Sequence, residues 1–371
     1  MDFSFTPDQT AIRDLANQIF GDRTTDEFLL QFSRSKTTYD DPLWNTLAEQ
    51  GLLGVSIAEE FGGTGLGFIE LCLVLEEQGR RVAPVPLFSS LVLGALPIQQ
   101  FGSVEQKNRW LAPLAAGKHK LTAAVADFGT TEACQQAITV HNGLLSGTKS
   151  AIPDGNVAAA ILVLASDNSL YIVDTTAKGV SVQAEKSFSG ENFATLTLAN
   201  VKAERLGTEG QGRAILAWLE QRADVALAAM QMGVCDEALR RTALYTTERK
   251  QFGAPLGSFQ AVAMRAADAY VDCEALRSAY WGAMWRLSEG LPAEAEARIA
   301  KYWACQGSHR VVHAAQHLHG GMGSDVEFPI HRYFILSKQI AFLTGSSSVQ
   351  LAKLGELLAS NEEAGLTSLV V

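Results

Sequence analysis

The sequence predicts an α+β chain of several domains: helices over 1–119, a small antiparallel β domain over 120–205, and a helical bundle over 206–371. Three observations predict it. From Thr6 to Gly117 apolar residues recur at helical spacing, interrupted by turn clusters such as Glu60-Phe61-Gly62-Gly63-Thr64-Gly65 and Ala83-Pro84-Val85-Pro86. Near Leu121 the pattern changes to short β-rich runs separated by Asp, Asn and Gly. After Gly212 long helical runs return.

The first helical part contains a glycine run, but no strand precedes it and no Lys-Ser/Thr follows, so it is not read as a phosphate loop. In the β part the runs Leu121–Ala126, Ala159–Ala165, Leu170–Val173 and Ala194–Leu198 are expected strands. Residues 214–247 hold no proline and one internal glycine, Gly233, and so predict a single helix on the order of 50 Å long. Further helical stretches are expected around 257–289, 292–318 and 330–358. Long helices with apolar residues on more than one face pack as a bundle.

A chain of 371 residues exceeds what one hydrophobic core supports, and 47% hydrophobic with 19% charged residues describes a globular protein. Its net charge of −10 and pI near 5.3 remove the electrostatic footprint of a nucleic-acid or anionic-membrane binder. The five cysteines, Cys72, Cys134, Cys235, Cys273 and Cys305, show neither CxxC nor metal spacing, and reduced thiols in a cytoplasm are expected. No basic flank with an apolar run opens the chain, and no stretch reaches the roughly 20 apolar residues that span a bilayer.

Four segments carry a resemblance to a known family. They are Leu47-Ala-Glu-Gln-Gly-Leu-Leu-Gly54 running into Glu59–Gly65; Asn142-Gly-Leu-Leu-Ser-Gly-Thr-Lys149; Glu248-Arg249-Lys250-Gln251-Phe252-Gly253 followed by Phe259-Gln260; and His319-Gly320-Gly321-Met322-Gly323 followed by Glu327-Phe328-Pro329. In this order and spacing the chain resembles the acyl-CoA dehydrogenases. The resemblance implies an N-terminal helical domain, a small antiparallel β domain and a C-terminal four-helix bundle, packed as a dimer or dimer of dimers around shared FAD. One subunit's β domain then holds the isoalloxazine, and the neighbour's bundle holds the pyrophosphate and adenine.

The adenine half of that site matches the family. Arg249 stands where the family has its pyrophosphate arginine, and a guanidinium fork meets phosphate oxygens with two parallel hydrogen bonds. Gln251, Phe252 and Gln260 match the neighbouring contacts, and Gly320 and Gly321 the place where backbone approaches the dinucleotide. His317 replaces the family's usual glutamine and keeps one hydrogen-bond donor.

The catalytic half departs from the family. The family's base is a glutamate in a water-poor pocket, in a Tyr-Glu-Gly-Thr motif or on the first bundle helix. Here those positions read Thr344, within Leu343-Thr344-Gly345-Ser346, and Ala223, so no catalytic residue is assigned. Glu220 and Asp224 lie near Ala223, but Asp224 is rotated by about 100° and points elsewhere, while Glu220, about 4.5 Å along the axis, could help only if the helix were re-registered. Both acids are expected to be solvated. The flavin strand shows the same loss. Ala126-Asp127-Phe128-Gly129-Thr130-Thr131 replaces Thr-Glu-Pro with no Gly-Ser-Asp after it, and Lys149-Ser150-Ala151-Ile152-Pro153 lacks the tryptophan that packs on the ring.

A chain that keeps only the half-site serving its neighbour resembles the non-catalytic subunit of the heteromeric, α2β2, bacterial acyl-CoA dehydrogenases of steroid side-chain degradation. That implies a catalytic partner subunit, an acyl-CoA substrate and electron-transfer flavoprotein as acceptor. Two other readings stay open: a homotetrameric acyl-CoA dehydrogenase with a relocated base, and a flavin-free structural or regulatory paralogue.

Overall fold

A computed structural model describes residues 4–125, 138–187, 190 and 192–360. In chain order the elements begin with α1 (Pro7–Arg23), α2 (Asp26–Arg34), α3 (Asp41–Glu49), α4 (Phe68–Arg81), α5 (Leu96–Phe101) and α6 (Val104–Ala115). Strands β1 (Leu121–Ala123), β2 (Ile138–His141), β3 (Leu144–Pro153), β4 (Ala160–Leu164), β5 (Leu170–Asp174), β6 (Val180–Lys186), β7 (Asn192–Val201) and β8 (Glu204–Leu206) follow. Then come α7 (Gly212–Glu248), the short strands β9 (Lys250–Gln251) and β10 (Ala254–Pro255), α8 (Gln260–Ser288), α9 (Glu294–Leu318), α10 (Ile330–Phe342) and α11 (Ser347–Ser360). Packing groups them into two compact units: 1–36, 72–83 and 224–371 form one, and 37–71 with 84–223 the other.

In the second unit the strands form two sheets, ordered β1-β4-β5-β8 and β2-β3-β7-β6. The pairs are antiparallel except β1 with β4, which run parallel. Ile138, Leu145, Ile152, Ile161, Val163, Val173, Leu196 and Val201 close one core between them. The β-branched content of these strands suits a pleated surface buried on one face. β3 carries an irregularity between Lys149 and Ile152, where Ala151 takes a left-handed φ of 53°.

The first unit is the bundle with the N-terminal helices. α9 is its centre and packs against α8, α10 and α11. Small residues line its buried face, among them Ala297, Ala300, Ala304, Gly307 and Ala315, so neighbouring helices approach closely. Where the C-terminal half of α4 crosses α7, a Cβ on Gly79 would stand 2.0 Å from the Met230 carbonyl oxygen, and one on Gly233 only 1.9 Å from that of Glu76. That crossing explains the lone glycine within the long helix. Arg80 bonds Glu76, Glu77 and Asp236 beside it, and the Tyr280 hydroxyl donates to Glu76.

The helical stretch expected over 330–358 is broken. Thr344 and Gly345 take positive φ values of 58° and 106°, which turn the chain between α10 and α11. A left-handed pair cannot continue a right-handed helix.

Candidate functional site

The residues expected at the flavin's adenine end come together at one end of the bundle. Arg249 follows the last turn of α7, its amide bonded to the Tyr245 carbonyl at 2.8 Å, and its own carbonyl accepts from the Leu256 amide at 2.8 Å. This closes the β9–β10 hairpin, after which the chain enters α8 at Gln260. At the hairpin tip Phe252 and Gly253 have φ values of 52° and 82°. Phe252 is 94% exposed, meeting only the edge of Phe259 at 6.3 Å. An exposed phenyl ring on a strained backbone is an apolar surface without a partner.

Tyr245, one turn before Arg249, ties this hairpin to the glycine turn. Its ring stacks on His319 with centroids 4.3 Å apart, and the His319 Nδ1 is bonded to the Ala315 carbonyl at 2.7 Å. Burial holds His319 below the ordinary imidazole range. Neither Tyr245 nor His319 is among the site residues expected from the sequence. The signal available was their spacing, four residues before Arg249 and one before Gly320. Beyond them Gly320 and Gly321 face open space, with no atom within 4 Å of where a Cβ would stand. Gly323 differs, because its Cβ would strike the Gln316 carbonyl at 2.2 Å. His317 is exposed on the last turn of α9, and the Gln251 side chain lies back on the Lys250 carbonyl at 2.8 Å.

Arg249 is exposed and makes no ion pair among the described residues. A free guanidinium beside an open glycine turn and an uncovered aromatic ring fits a phosphate-bearing dinucleotide end, which supplies the missing charge and fills the turn.

The corner around Thr344 corrects one expectation. Asp224 is fully buried, not solvated, and it faces Thr344: the Thr344 Oγ1 donates to its Oδ1 at 2.6 Å. Arg298 from α9 donates to the other oxygen at 3.0 Å, and Gln350 reaches Asp224 at 3.4 Å and the Thr344 carbonyl at 3.1 Å. The turn at 344–345 causes this by swinging α11 over the start of the bundle stretch of α7. Glu220 is also buried, at 9% exposure, and Ala223 is wholly enclosed. Next along α9, Lys301 is buried and donates to the Ile340 carbonyl at 2.6 Å, fixing the last turn of α10. Both oxygens of the Asp224 carboxylate are thus engaged within the bundle, so this corner is a buried structural network.

On β3 the isoalloxazine does not fit the residues present. Ala151 offers a methyl group on a backbone irregularity, and Pro153 has no N–H, its carbonyl taken by the Thr122 hydroxyl at 2.7 Å. Lys149 and Ile152 are buried. Asp154, next in line, is half-buried and accepts from the Ser89 hydroxyl at 2.5 Å, and desolvation pushes its carboxyl up to about 6. The Ala126–Thr131 segment lies outside the described residues.

Among the described residues no His, Cys, Asp and Glu cluster could hold a metal, and Cys72, Cys235, Cys273 and Cys305 are buried thiols outside any disulfide. No described helix is long and apolar enough to cross a membrane.

Residues 6–118 match the acyl-CoA dehydrogenase N-terminal domain, and residues 210–359 match the acyl-CoA dehydrogenase C-terminal domain. The acyl-CoA dehydrogenase FadE27 of Mycobacterium tuberculosis is 34% identical over 97% of this chain and 99% of its own length. Among solved structures, a variant of the Tcur3481-Tcur3483 steroid ACAD matches at 42% identity with a TM-score of 0.88, covering 95% of this chain and 98% of its own. The ChsE4-ChsE5 complex from Mycobacterium tuberculosis matches at 33% identity and a TM-score of 0.91, covering 97% of this chain and 100% of its own.

Proposed function

The chain belongs to the acyl-CoA dehydrogenase family, and we propose that within it this is the non-catalytic subunit of a heteromeric enzyme, completing the FAD site of a partner that carries the base. The observation that carries this reading is the contrast between two corners of one chain: Arg249 stands open and unpaired, whereas the base corner is filled by the Asp224–Arg298–Gln350–Thr344 network. The similarity to a steroid ACAD and to the ChsE4-ChsE5 complex supports a heterodimer or α2β2 assembly and a steroid side-chain CoA ester as substrate. Domains over 1–119, 120–205 and 206–371, a cytoplasmic location and electron-transfer flavoprotein as acceptor complete the reading.

Bound FAD supplies the hydride acceptor for α,β-desaturation of the acyl-CoA thioester. This chain's part is to hold it. Arg249 would hold the pyrophosphate through its guanidinium, and Gly320 and Gly321 would let the backbone approach. Phe252 would cover the dinucleotide, while Gln251, Gln260 and His317 would offer donors to the adenine end. The α-proton is removed by the partner's base.

One observation favours a second reading, a homo-oligomer with a relocated base: Asp224 lies 2.6 Å from the hydroxyl at the family's base position. Its arginine pair and full burial oppose it, because a base must give up its ion pair to accept a proton. The test is co-purification with an acyl-CoA dehydrogenase subunit that retains the glutamate, followed by a flavin spectrum. One FAD per heterodimer is expected. Two per heterodimer, or stoichiometric FAD and turnover in this chain alone, would overturn the proposal.

A further inference from the structure

α9 carries basic groups that the flavin half-site does not use. His309 and His313 stand four residues apart along one face. The His309 and His313 rings lie 4.1 Å apart, Lys338 of α10 touches the His309 Nδ1, and Phe334 meets His313 edge-on at 4.8 Å. Arg265 of α8 adds positive charge near His313. Asp272 of α8 also faces the stripe, but both its oxygens are taken by Arg310, one at 2.7 Å. Lys338, Arg265, His309 and His313 make no ion pair among the described residues.

This placement is costly as it stands. Burial and the surrounding cations Lys338 and Arg310 hold His309 below the ordinary imidazole value; burial, Lys338 and Arg265 do the same to His313; burial lowers Lys338. A chain with net charge −10 has carboxylates to spare, yet among the described residues none is paired with these three. Uncompensated like charges that keep solvent access are relieved by an opposite charge arriving from outside.

From this arrangement we infer that the His309–His313–Lys338–Arg265 stripe is the seat of an acidic face on a different polypeptide, the partner subunit, and that it disfavours a second copy of this chain. The inference rests on the heteromeric reading and adds what distinguishes the partner from self. In a two-fold contact made through this face, the two stripes would oppose each other, whereas carboxylates from another chain would pair Lys338 and Arg265 and stabilise the protonated imidazoles. Association with the partner therefore takes up protons, and self-association expels them.

The experiment follows both associations by sedimentation velocity, at pH 8 and pH 6 and at low and high salt. It uses the purified complex and this chain alone, each as wild type, Lys338→Gln and Lys338→Glu. The complex is expected to tighten as pH falls and loosen with salt. Lys338→Gln should weaken it several-fold and Lys338→Glu by about tenfold or more, as opposed charges become like ones. Self-association of the chain alone should weaken as pH falls and strengthen in Lys338→Glu. A flavin-loaded complex whose affinity ignores pH and both substitutions overturns the stripe while leaving the proposed function standing. A complex without flavin sinks the proposed function instead. Self-association that strengthens at pH 6 and is lost in Lys338→Glu would make a second copy the occupant and overturn the inference.

Discussion

The Thr344 hydroxyl donates a 2.6 Å hydrogen bond to the Asp224 carboxylate, which is paired on its other oxygen with Arg298. Thr344, read from the sequence as standing at the family's base position, is thus bonded into a buried structural network. The chain purified alone should therefore reduce no electron acceptor with short, long or steroid-derived acyl-CoA esters. Turnover that persists alone and disappears in Asp224→Asn would show that the base had moved one helical position.

Restoring the base will not restore function. Thr344→Glu places a second carboxylate within hydrogen-bond distance of Asp224 in a site only 4% exposed, on a backbone with φ of 58°. Unbalancing a buried ion pair in this way costs roughly 3–5 kcal/mol. Urea unfolding should show that loss, and the variant should hold no flavin, because Ala151 and Pro153 still offer the ring no platform. A stable, flavin-loaded and active Thr344→Glu protein would mean that only the base had been lost.

Arg249→Ala should leave the fold unchanged, since the side chain is exposed and unpaired. Charge-assisted phosphate contacts contribute roughly 1.5–3 kcal/mol. Flavin binding to the complex should weaken by about ten- to a hundred-fold. Excess FAD should recover much of the lost rate, whereas removal of the partner's glutamate should give a loss that flavin cannot repair. Unchanged flavin affinity in a titration would show that the bundle does not clamp the pyrophosphate.

Asp154 makes stability depend on pH in an unusual direction. Its folded value of about 6 lies above the ordinary value of 3.8, so the folded state holds a proton that the unfolded chain has released. The resulting stability is present below about pH 4 and is lost as pH rises through about 6, on the order of 2–3 kcal/mol. Asp154→Asn keeps a side chain suited to the left-handed φ of 51° and removes the titration. Thermal melts should show a flatter profile between pH 4 and 6 and a higher midpoint at pH 8. Identical profiles for both proteins would refute the assignment.

Two glycines to alanine should act in opposite senses. Gly79→Ala puts a methyl group 2.0 Å from the Met230 carbonyl oxygen and should cost about 3 kcal/mol as α4 and α7 are forced apart. Gly282→Ala, in α8 with nothing within 4 Å, should add about 0.5–1 kcal/mol through helix propensity. Equal urea midpoints for the two variants would contradict the close crossing.

What could be read in advance depended on the range of the interactions involved. Arg249, Phe252, Gly320 and Gly321 sit in short local motifs and were legible by their resemblance to the family's, although the β9–β10 hairpin that carries the first two was not itself expected. The uninterrupted helix through Gly233 was equally plain, although the reason for the glycine was not. That reason is Glu76, more than 150 residues away in the chain. Asp224 was misplaced for the same cause. A rotation of 100° says where a side chain leaves its own helix, and only the packing of α9 and α11 decides whether solvent or Arg298 meets it. The break at Thr344–Gly345 sits within an apolar pattern that is as regular on one side as on the other.

The first compact unit is drawn from three separate stretches, 1–36, 72–83 and 224–371, with the second unit synthesised in between. During translation α1, α2 and the end of α4 leave the ribosome long before the helices they pack against. At about 5–20 residues per second, tens of seconds of synthesis separate Gly79 from the last turns of the bundle. Until then the apolar faces of the N-terminal helices have no permanent cover, and residues 37–71 and 84–223 can reach native packing first. The segment 1–36 should accordingly be the last to lock during synthesis and the first to open under stress. In a multi-subunit enzyme that delay gives chaperones, or an already folded partner, access to the chain before its own bundle is complete.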